Sequence, residues 1–457
     1  MLPISIFRAY DIRGIVDDTL TEESVYLIGK ALGSVARENG ESEICVARDG
    51  RFSGKRLVQA LTNGILSVGC DVIDLGMVAT PLLYFATNEL SAKSGVMVTG
   101  SHNPPEYNGL KMVMGGVTLA EEAIRALYQR IIEQRFTVGE GERREMDVTA
   151  NYLDKVCADV RLARPLKVVV DAGNGITGNI APTLLRRLGC EVHELFCEVD
   201  GGFPNHHADP SQVENLQDLI QAVRLHQADI GLAFDGDGDR LGVVTNEGDI
   251  IWPDRLLMLY AEAVIAADPT AKIIYDVKCT THLQHRINAL GGTPVMWKTG
   301  HSLIKAKMKE IDAQLAGEMS GHFFFKDRWY GCDDAMYAAA RLVEVLALRT
   351  ETSHDIFSRI PNSVNTPELK VFVAEDEKFA LMQRLVTDAN FTDACDVMTI
   401  DGLRVNFADG WGLVRPSNTS PYLVLRFEAL NQGMLDDIQR LFRDWMLAVN
   451  PNLVLPF

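Results

Sequence analysis

Residues 166–173 read LKVVVDAG, and two further stretches follow the same plan, EICVARDG at 43–50 and AKIIYDVK at 271–278. Each is an apolar run that reaches an aspartate and is followed by a helical stretch, near 54–68, 180–188 and 281–290, by a glycine and by a second apolar run. Apolar runs without alternation are typical of parallel strands buried on both faces. Three copies roughly a hundred residues apart predict three tandem related α/β domains with mixed, mostly parallel sheets.

The pattern changes after residue 361. Residues 368–374 and 421–430 read as strands, 375–389 and 434–449 as helices, and 396–417 as a hairpin that turns at Asp401-Gly402. This order predicts a C-terminal α+β domain. We expect the four domains to span residues 1–147, 148–249, 250–361 and 362–457.

Composition limits the possible partners of the chain. With 457 residues and a formal net charge of −18, it is not expected to bind nucleic acid or an anionic membrane surface. No run of 18 apolar residues and no signal-peptide pattern occur, and the eight cysteines are scattered, so we expect a protein of the reducing cytoplasm. An anionic substrate would need local cations, and five lie in or beside short motifs: Arg13, Lys111, Arg240, Lys278 and Arg415. The pattern favours a phosphorylated small molecule.

The segment AFDGDGDRLG (233–242) is the strongest local signal. Asp235, Asp237 and Asp239 alternate with glycines after an apolar run, and in an extended segment alternate side chains share a face. Three converging carboxylates require a cation, and hard oxygen ligands suit Mg²⁺. The alternative is a surface turn rich in Asp and Gly.

Two other motifs carry groups suited to a sugar phosphate. In GEMSGH (317–322), alternation would place Glu318, Ser320 and His322 on one face, where Glu and Ser suit vicinal hydroxyls; the alternative is an edge strand with a core histidine. RPSNTSP (415–421) offers a guanidinium, hydroxyls and an amide that match a phosphate monoester, and the alternative is a loop of turn formers.

The stretch TGSHNPPEYNGLK (99–111) places Ser101 beside His102, as a nucleophile beside a base. Adjacent side chains of an extended segment point to opposite sides, so we expect His102 to shape the loop instead of activating Ser101.

Three rival functions can be read from the sequence. Residues 173–178 contain G-x-G-x-x-G after a strand, so a NAD-dependent oxidoreductase is one alternative. The first and third repeats also have a tight strand-to-helix turn at this position, whether or not it is rich in glycine, and this favours a structural turn. A phosphatase that uses Asp235 as nucleophile is a second, but Asp239 stands where that chemistry usually has Thr or Val. A non-catalytic sugar-phosphate binder leaves Ser101 unexplained.

Together, TGSHNP (99–104), DGDGDR (235–240), GEMSGH (317–322) and RPSNT (415–419) resemble the α-D-phosphohexomutase superfamily, in its bacterial phosphomannomutase/phosphoglucomutase branch. FRAYDIRG (7–14) and KTGH (298–301) agree, and the resemblance covers essentially the whole chain. It implies four domains around a central cleft and a reversible, Mg²⁺-dependent transfer of phosphoryl between C1 and C6 of mannose or glucose phosphates. Met319 stands where relatives acting on glucosamine phosphate carry Gln, so an aminosugar is not the expected substrate.

The resemblance also implies roles for individual residues. The phosphoserine falls on Ser101, and the ligands of one Mg²⁺ per chain on Asp235, Asp237, Asp239 and an oxygen of phosphorylated Ser101. Proton transfer or charge stabilisation falls on Arg13, Lys111 and His322. Substrate contacts fall on Tyr10, Arg240, Lys278, His301, Glu318, Ser320, Arg415, Ser417, Asn418 and Thr419. A hexose 1,6-bisphosphate is the implied intermediate and activator, and a monomer is the expected state, with a dimer as the alternative.

Overall fold

The computed structural model describes residues 2–418 and 420–457. Four sheets follow one another along the chain, each with its own helices, and this confirms the predicted fold class. No helix of these residues is long and apolar enough to cross a membrane.

The first sheet has the strand order β1-β5-β4-β2-β3-β7, with β6 paired to β5. Strand β2 is parallel to β3 and β4, and β5 is antiparallel to β4 and β1. Its elements are β1 (Ile12–Ile15), α1 (Glu22–Glu38), β2 (Glu43–Arg48), α2 (Gly54–Leu66), β3 (Asp71–Met77), α3 (Thr80–Glu89), β4 (Gly95–Val98), β5 (Tyr107–Met114), β6 (Val117–Thr118), α4 (Glu121–Ile132) and β7 (Arg143–Glu145).

The second sheet has the order β12-β11-β10-β8-β9. Strand β8 is parallel to β9 and β10, and β11 returns antiparallel to β10. Its elements are α5 (Thr149–Asp159), β8 (Lys167–Asp171), α6 (Ala181–Leu188), β9 (Glu191–Leu195), α7 (Gln217–His226), β10 (Ile230–Phe234), β11 (Leu241–Thr245) and β12 (Ile250–Ile251). Because β12 pairs with β11, this sheet extends two residues past position 249.

The third sheet repeats the arrangement in the order β14-β13-β15-β16. Strand β13 is parallel to β14 and β15, and β16 is antiparallel to β15. Its elements are α8 (Pro253–Ala267), β13 (Lys272–Asp276), α9 (Thr281–Ala289), β14 (Thr293–Trp297), α10 (His301–Ile311), β15 (Leu315–Gly317), β16 (Phe323–Phe325), α11 (Ala335–Ala347) and α12 (Ser353–Ser358). The three predicted β-α-β units, β2-α2-β3, β8-α6-β9 and β13-α9-β14, are confirmed.

The fourth sheet is antiparallel, in the order β17-β22-β21-β20-β19 with β18 also on β22. Its elements are β17 (Val364–Asn365), β18 (Leu369–Phe372), α13 (Lys378–Thr387), β19 (Asp396–Met398), β20 (Leu403–Phe407), β21 (Gly410–Pro416), β22 (Tyr422–Ala429) and α14 (Gln432–Val449). The single hairpin predicted for 396–417 is wrong. Asp401-Gly402 does form a turn, but a second reversal before Gly410 makes three strands.

The aspartates at the ends of the three repeated strands share one local structure. The side chains of Asp49, Asp171 and Asp276 each accept a hydrogen bond from the backbone N–H two residues further on, at 2.9 to 3.1 Å. Such Asx turns let the chain leave a buried strand without losing a backbone partner.

Packing joins the first three domains more closely than the fourth. One continuous apolar core contains side chains of all three, with Phe85, Tyr152 and Trp329 in mutual aromatic contact. The fourth sheet has its own core. It meets the third domain through a small apolar cluster of Val277, Trp411 and Leu413. Polar contacts add to this, among them the buried Arg404, which donates to the carbonyls of Val277 and Cys279.

Candidate active site

Three predicted motifs lie on equivalent loops. The segments 99–106, 235–240 and 318–322 each join a parallel strand (β4, β10 or β15) to the antiparallel strand that follows it. Each loop therefore begins at the carboxyl end of a parallel strand, where α/β sheets bind ligands. The repeat thus presents Ser101, the three aspartates and Glu318 in corresponding places.

The three aspartates converge through a tight turn. The expectation of an extended segment is wrong, because residues 235–240 form a turn in which Gly238 has φ +80°. Oδ1 of Asp235 accepts the backbone N–H groups of Gly238, Asp239 and Arg240 at 3.0 to 3.1 Å. All three carboxylates are fully buried, and one oxygen of each lies within 4.8 Å of the others.

The oxygens left over in this cluster fit a divalent cation. Oδ1 of Asp237 is buried without a hydrogen-bond partner among the described residues, Oδ1 of Asp239 lies 3.3 Å from Nε2 of His322, and Oδ2 of Asp235 accepts the hydroxyl of Ser101 at 3.0 Å. Burial, together with the charges of the other two aspartates, raises the pKa of Asp235 well above its usual value. Converging, under-satisfied carboxylate oxygens are the ligands that Mg²⁺ prefers.

Two side chains from the first domain bind the cluster. Nζ of Lys111 lies 2.7 Å from Oδ2 of Asp237 and also contacts Asp239. Burial disfavours this ammonium, but the aspartates outweigh burial and raise the pKa of Lys111. Thr80, at the start of α3, donates its hydroxyl to Oδ2 of Asp237 at 2.6 Å. No local signal in the sequence indicated Thr80.

The Ser101 loop differs from the expectation. Ser101 has φ +49°, so it is in the left-handed region and not in an extended segment, and its Oγ lies 3.1 Å from Nδ1 of His102. The placement of His102 away from Ser101 is therefore wrong. Burial and the charges of Arg240 and Arg13 lower the pKa of His102 well below its usual value, which leaves a neutral imidazole beside the serine. Arg13 donates to the carbonyl of Gly100 and to the side chain of Asn103 in the same loop.

Glu318, Ser320 and His322 do meet, although through a turn instead of an alternating strand, because Gly321 has φ +97°. Nδ1 of His322 lies 3.0 Å from both Oε2 of Glu318 and Oγ of Ser320, and its Nε2 lies 3.3 Å from Oδ1 of Asp239. Burial opposes protonation, but Asp239 and Glu318 outweigh it and raise the pKa of His322 to about 9. This histidine links the third-domain loop to the aspartates.

Tyr10 and His301 lie together beside Glu318. Their ring centroids are 5.4 Å apart, and Gly300, before His301, donates its N–H to Oε1 of Glu318 at 2.6 Å. Burial lowers the pKa of His301 and raises that of Tyr10 to about 12, so both rings are neutral near pH 7.

The remaining cations have carboxylate partners that the sequence did not indicate. Nζ of the buried Lys278 contacts Oε1 of Glu368 at 2.7 Å. Nε of the buried Arg415 donates to Oδ2 of Asp401 at 2.9 Å, and this oxygen also accepts the N–H of Thr299 in the third domain.

Arg240 is half-buried at the end of the loop 235–240, with Nε 3.3 Å from Nε2 of His322. Ser417 is buried with Oγ 2.8 Å from Oγ of Ser420, and Asn418 is half-buried. Thr419, predicted as part of the same loop, lies outside the described residues.

The glycine-rich segment 173–178 is filled by protein. A Cβ at Gly178 would lie 2.0 Å from the carbonyl oxygen of Cys197, and one at Gly175 would lie 3.0 Å from Cα of Gly236. These glycines allow backbones to approach each other beside the loop 235–240, as expected of a structural turn.

Comparison with known proteins agrees with this arrangement. Four family models match in sequence order: phosphoglucomutase/phosphomannomutase alpha/beta/alpha domain I over residues 5–138, domain II over 150–248, domain III over 252–364, and the C-terminal domain over 368–444.

Two curated proteins and one solved structure resemble the whole chain. The phosphomannomutase/phosphoglucomutase of Pseudomonas aeruginosa is 55% identical over 456 residues, covering 100% of this chain and 98% of that protein. The phosphoglucomutase of Neisseria meningitidis serogroup A is 50% identical over 454 residues, covering 99% and 98%. The crystal structure of a family protein from Burkholderia thailandensis has 51% identity and a TM-score of 0.96 over 100% of both chains. The resemblance carried by the four motifs is confirmed, and the chain belongs to the phosphoglucomutase/phosphomannomutase family.

Proposed function

We propose that this enzyme interconverts the 1-phosphates and 6-phosphates of mannose and glucose, with Ser101 as the phosphate carrier. The observation that supports this most directly is the hydrogen bond from the Ser101 hydroxyl to Asp235, because it brings the serine of one domain to the aspartate cluster of the next. A serine that is to hold a transferable phosphoryl group needs such a cation-binding neighbour.

The proposed reaction has two transfers. In the first, the bond between phosphorus and Oγ of Ser101 breaks while the free hydroxyl of the hexose phosphate bonds to phosphorus and loses its proton. Oγ takes up a proton, and the products are a 1,6-bisphosphate and free Ser101. After this intermediate has turned around, its other phosphoryl group bonds to Oγ of Ser101, which loses its proton, while the bond from phosphorus to the sugar oxygen breaks and that oxygen takes up a proton. The acid and base roles of Arg13, Lys111 and His322 stay predictions.

Charge compensation is the main task in phosphoryl transfer. We propose that Asp235, Asp237 and Asp239 hold one Mg²⁺ per chain, which would neutralise charge on the transferred group when bound. Lys111 and Arg13 add fixed positive charge beside the serine loop. Phosphorylated Ser101 would itself carry roughly −1.5 to −2 charges, so these cations matter most in the loaded enzyme.

Substrate orientation is assigned to the other two loops. Glu318 and Ser320 suit the 3- and 4-hydroxyls, which a pyranose can present similarly in both orientations. Nη2 of Arg415 is buried without a partner among the described residues, and a guanidinium with a free N–H can donate to the phosphate that does not react. We propose that Arg415, Ser417, Asn418 and Thr419 bind that phosphate, with Tyr10, Arg240, Lys278 and His301 as further substrate contacts.

The decisive test is replacement of the serine. Ser101→Ala should abolish the interconversion of hexose 1- and 6-phosphate, and retention of activity would refute the mechanism. Chelation should remove activity and Mg²⁺ should restore it, whereas indifference to a chelator would refute the aspartate assignment. Intact mass after incubation with glucose 1,6-bisphosphate should show one added phosphate in the parent enzyme and none in Ser101→Ala.

We further propose a cytoplasmic location and a monomeric state. All eight cysteines are unpaired, which suits a reducing compartment. All the proposed site residues belong to one chain, so no second subunit is needed to complete the site.

A further inference from the structure

We infer that Arg51 is a positioning residue, which holds the Ser101 loop in the conformation that directs Oγ to the aspartate cluster. The inference rests on the proposed role of Ser101. Arg51 lies two residues after the strand-end Asp49, as Lys278 lies two residues after Asp276 in the third repeat. The same position of the repeat thus supplies a buried cation to the proposed site in both domains.

The guanidinium of Arg51 binds the loop through four backbone carbonyls. Nη1 donates to the oxygens of Pro104 at 2.6 Å and Tyr107 at 3.0 Å, and Nη2 donates to those of Ser101 at 2.7 Å and Asn103 at 2.6 Å. One side chain therefore anchors both ends and the middle of the loop. Only a planar group with several N–H donors can meet four acceptors at once.

Asp49 orients this guanidinium. Its Oδ2 lies 3.3 Å from Nε of Arg51 and accepts the hydroxyl of Thr99 at 2.7 Å, while its Oδ1 accepts the backbone N–H of Arg51 at 3.1 Å. The Thr99 hydroxyl in turn accepts the N–H of Ser101 at 2.8 Å. The carboxylate thus ties the end of β2 to the start of the serine loop.

The guanidinium of Arg51 is enclosed by the backbone of the serine loop and by an aromatic ring of the second domain. A methyl group on Gly100 would lie 2.3 Å from Cζ of Arg51, so the guanidinium packs directly against the loop backbone. On another side the ring of Phe203, from the second domain, has its centroid 5.1 Å from Cζ. The side chain of Arg51 is almost completely buried, and an ammonium, which has three donors and no flat face, could not meet all four carbonyls.

The consequence concerns Ser101 directly. A serine at φ +49° is in a conformation that L residues rarely adopt, and it persists only where its surroundings impose it. The Ser101 carbonyl held by Arg51 packs against Gly236, where a Cβ would lie only 2.4 Å from that oxygen. Releasing the carbonyl would therefore let the serine move relative to the loop 235–240, while the loops proposed to bind the substrate, 318–322 and 415–419, stay in place.

The main test compares Arg51→Lys with the parent enzyme. We expect kcat to fall at least about 100-fold, the effect of roughly 1 Å of misplacement, while KM for glucose 1-phosphate changes less than about threefold. Hydrogen exchange of residues 99–107 should accelerate in the variant, and that of the fourth domain should not. Arg56→Ala is the matched control, because Arg56 pairs with Asp17 on the surface of the same domain.

Two further variants probe the guanidinium itself. Guanidinium chloride at millimolar concentration should restore part of the kcat of Arg51→Ala, whereas sodium chloride should not. If Arg51→Ala does not fold, Gly100→Ala serves instead, since its methyl group displaces the guanidinium and should lower kcat in the same way.

The outcomes separate this inference from the proposed function. Near-parental kcat in Arg51→Lys would overturn the inference, as would unchanged exchange of residues 99–107. A fall in kcat accompanied by an equally large rise in KM, with faster exchange throughout the first sheet, would also overturn the inference, because these changes together indicate general destabilisation. If glucose 1,6-bisphosphate adds no phosphate to the parent enzyme, the proposed function fails, and the exchange measurement alone decides whether Arg51 holds the loop.

Discussion

Lys111→Met should make the fold dependent on Mg²⁺. Lys111 is almost fully buried, and its ammonium contacts Asp237 and Asp239. Met keeps the length and apolar stem of the side chain but removes the charge. In a chelator, the variant would retain three buried carboxylates with one fewer cation to compensate them.

The size of the effect follows from the burial of the pair. Removing one partner of a buried ion pair costs about 3–5 kcal/mol of unfolding free energy. At about 2 °C per kcal/mol for a large unit, this lowers Tm by roughly 6–10 °C. The missing positive charge also strengthens Mg²⁺ binding, since a like charge about 4 Å away costs roughly 1–4 kcal/mol per unit charge. We expect Lys111→Met to bind Mg²⁺ at least about tenfold more tightly than the parent enzyme. At saturating Mg²⁺, this adds about 1.4 kcal/mol to the unfolding free energy of the variant, beyond the gain of the parent enzyme.

Thermal unfolding at pH 7.5 measures the loss of stability in EDTA and the extra stabilisation in Mg²⁺. The matched control is Lys378→Met, which removes another buried lysine, one that contacts Glu375 and the carbonyl of Ser420 instead of the aspartate cluster. The control should lose stability but respond to Mg²⁺ like the parent enzyme. If Lys111→Met melts within 2 °C of the parent in EDTA, or if Mg²⁺ raises both Tm values equally, the charge argument is refuted.

Three further variants test other parts of the structure. Thr80→Val removes the hydroxyl that orients Asp237 and should weaken Mg²⁺ binding about 10- to 100-fold in a titration of activity; unchanged affinity would contradict that role. Gly178→Ala forces a methyl group against the carbonyl of Cys197 and should lower the unfolding free energy by about 1–3 kcal/mol in denaturant melts, an effect absent if the segment were an open nucleotide loop. Burial raises the pKa of Asp334 to about 6, so the folded state holds this proton more tightly than the unfolded chain, where the pKa is about 3.9. The tighter proton binding by folded Asp334 contributes its full stability below pH 4, and this contribution is lost as pH rises through 6. The unfolding free energy of the parent enzyme, relative to that of Asp334→Asn, should therefore fall by about 3 kcal/mol between pH 4 and pH 6. Parallel pH profiles of the two proteins would contradict the raised pKa of Asp334.

Local patterns were sufficient to predict much of the fold. An apolar run reaching Asp49, Asp171 or Asp276 and a glycine stop after each helix describe a β-α-β unit without long-range information, and all three units form as parallel pairs. The fourth domain was harder. Its strand count depends on a second reversal before Gly410, where Asp409-Gly410 repeats the turn signal of Asp401-Gly402, and a single hairpin over 396–417 leaves that second signal unused.

The motifs predicted which residues meet, but not the conformation by which they meet. Alternation suggested extended segments at 235–240 and 318–322, whereas both are turns that depend on Gly238 and Gly321 at positive φ. A short loop between antiparallel strands has to reverse the chain, and this requirement outweighs the side-chain period of a strand. The same reasoning explains why His102 contacts Ser101.

The sequence by itself determined the three-fold repeat, the family and the loops proposed to carry the chemistry, because these depend on residue order over short distances. Only the tertiary structure decided the partners that hold those loops. Thr80 and Asp237 are 157 positions apart, Lys278 and Glu368 are 90 apart, and Arg51 and Ser101 are 50 apart. Contacts of this kind leave no periodic trace in the chain, since they form only when separate strands end at the same edge of a sheet or when two domains pack together.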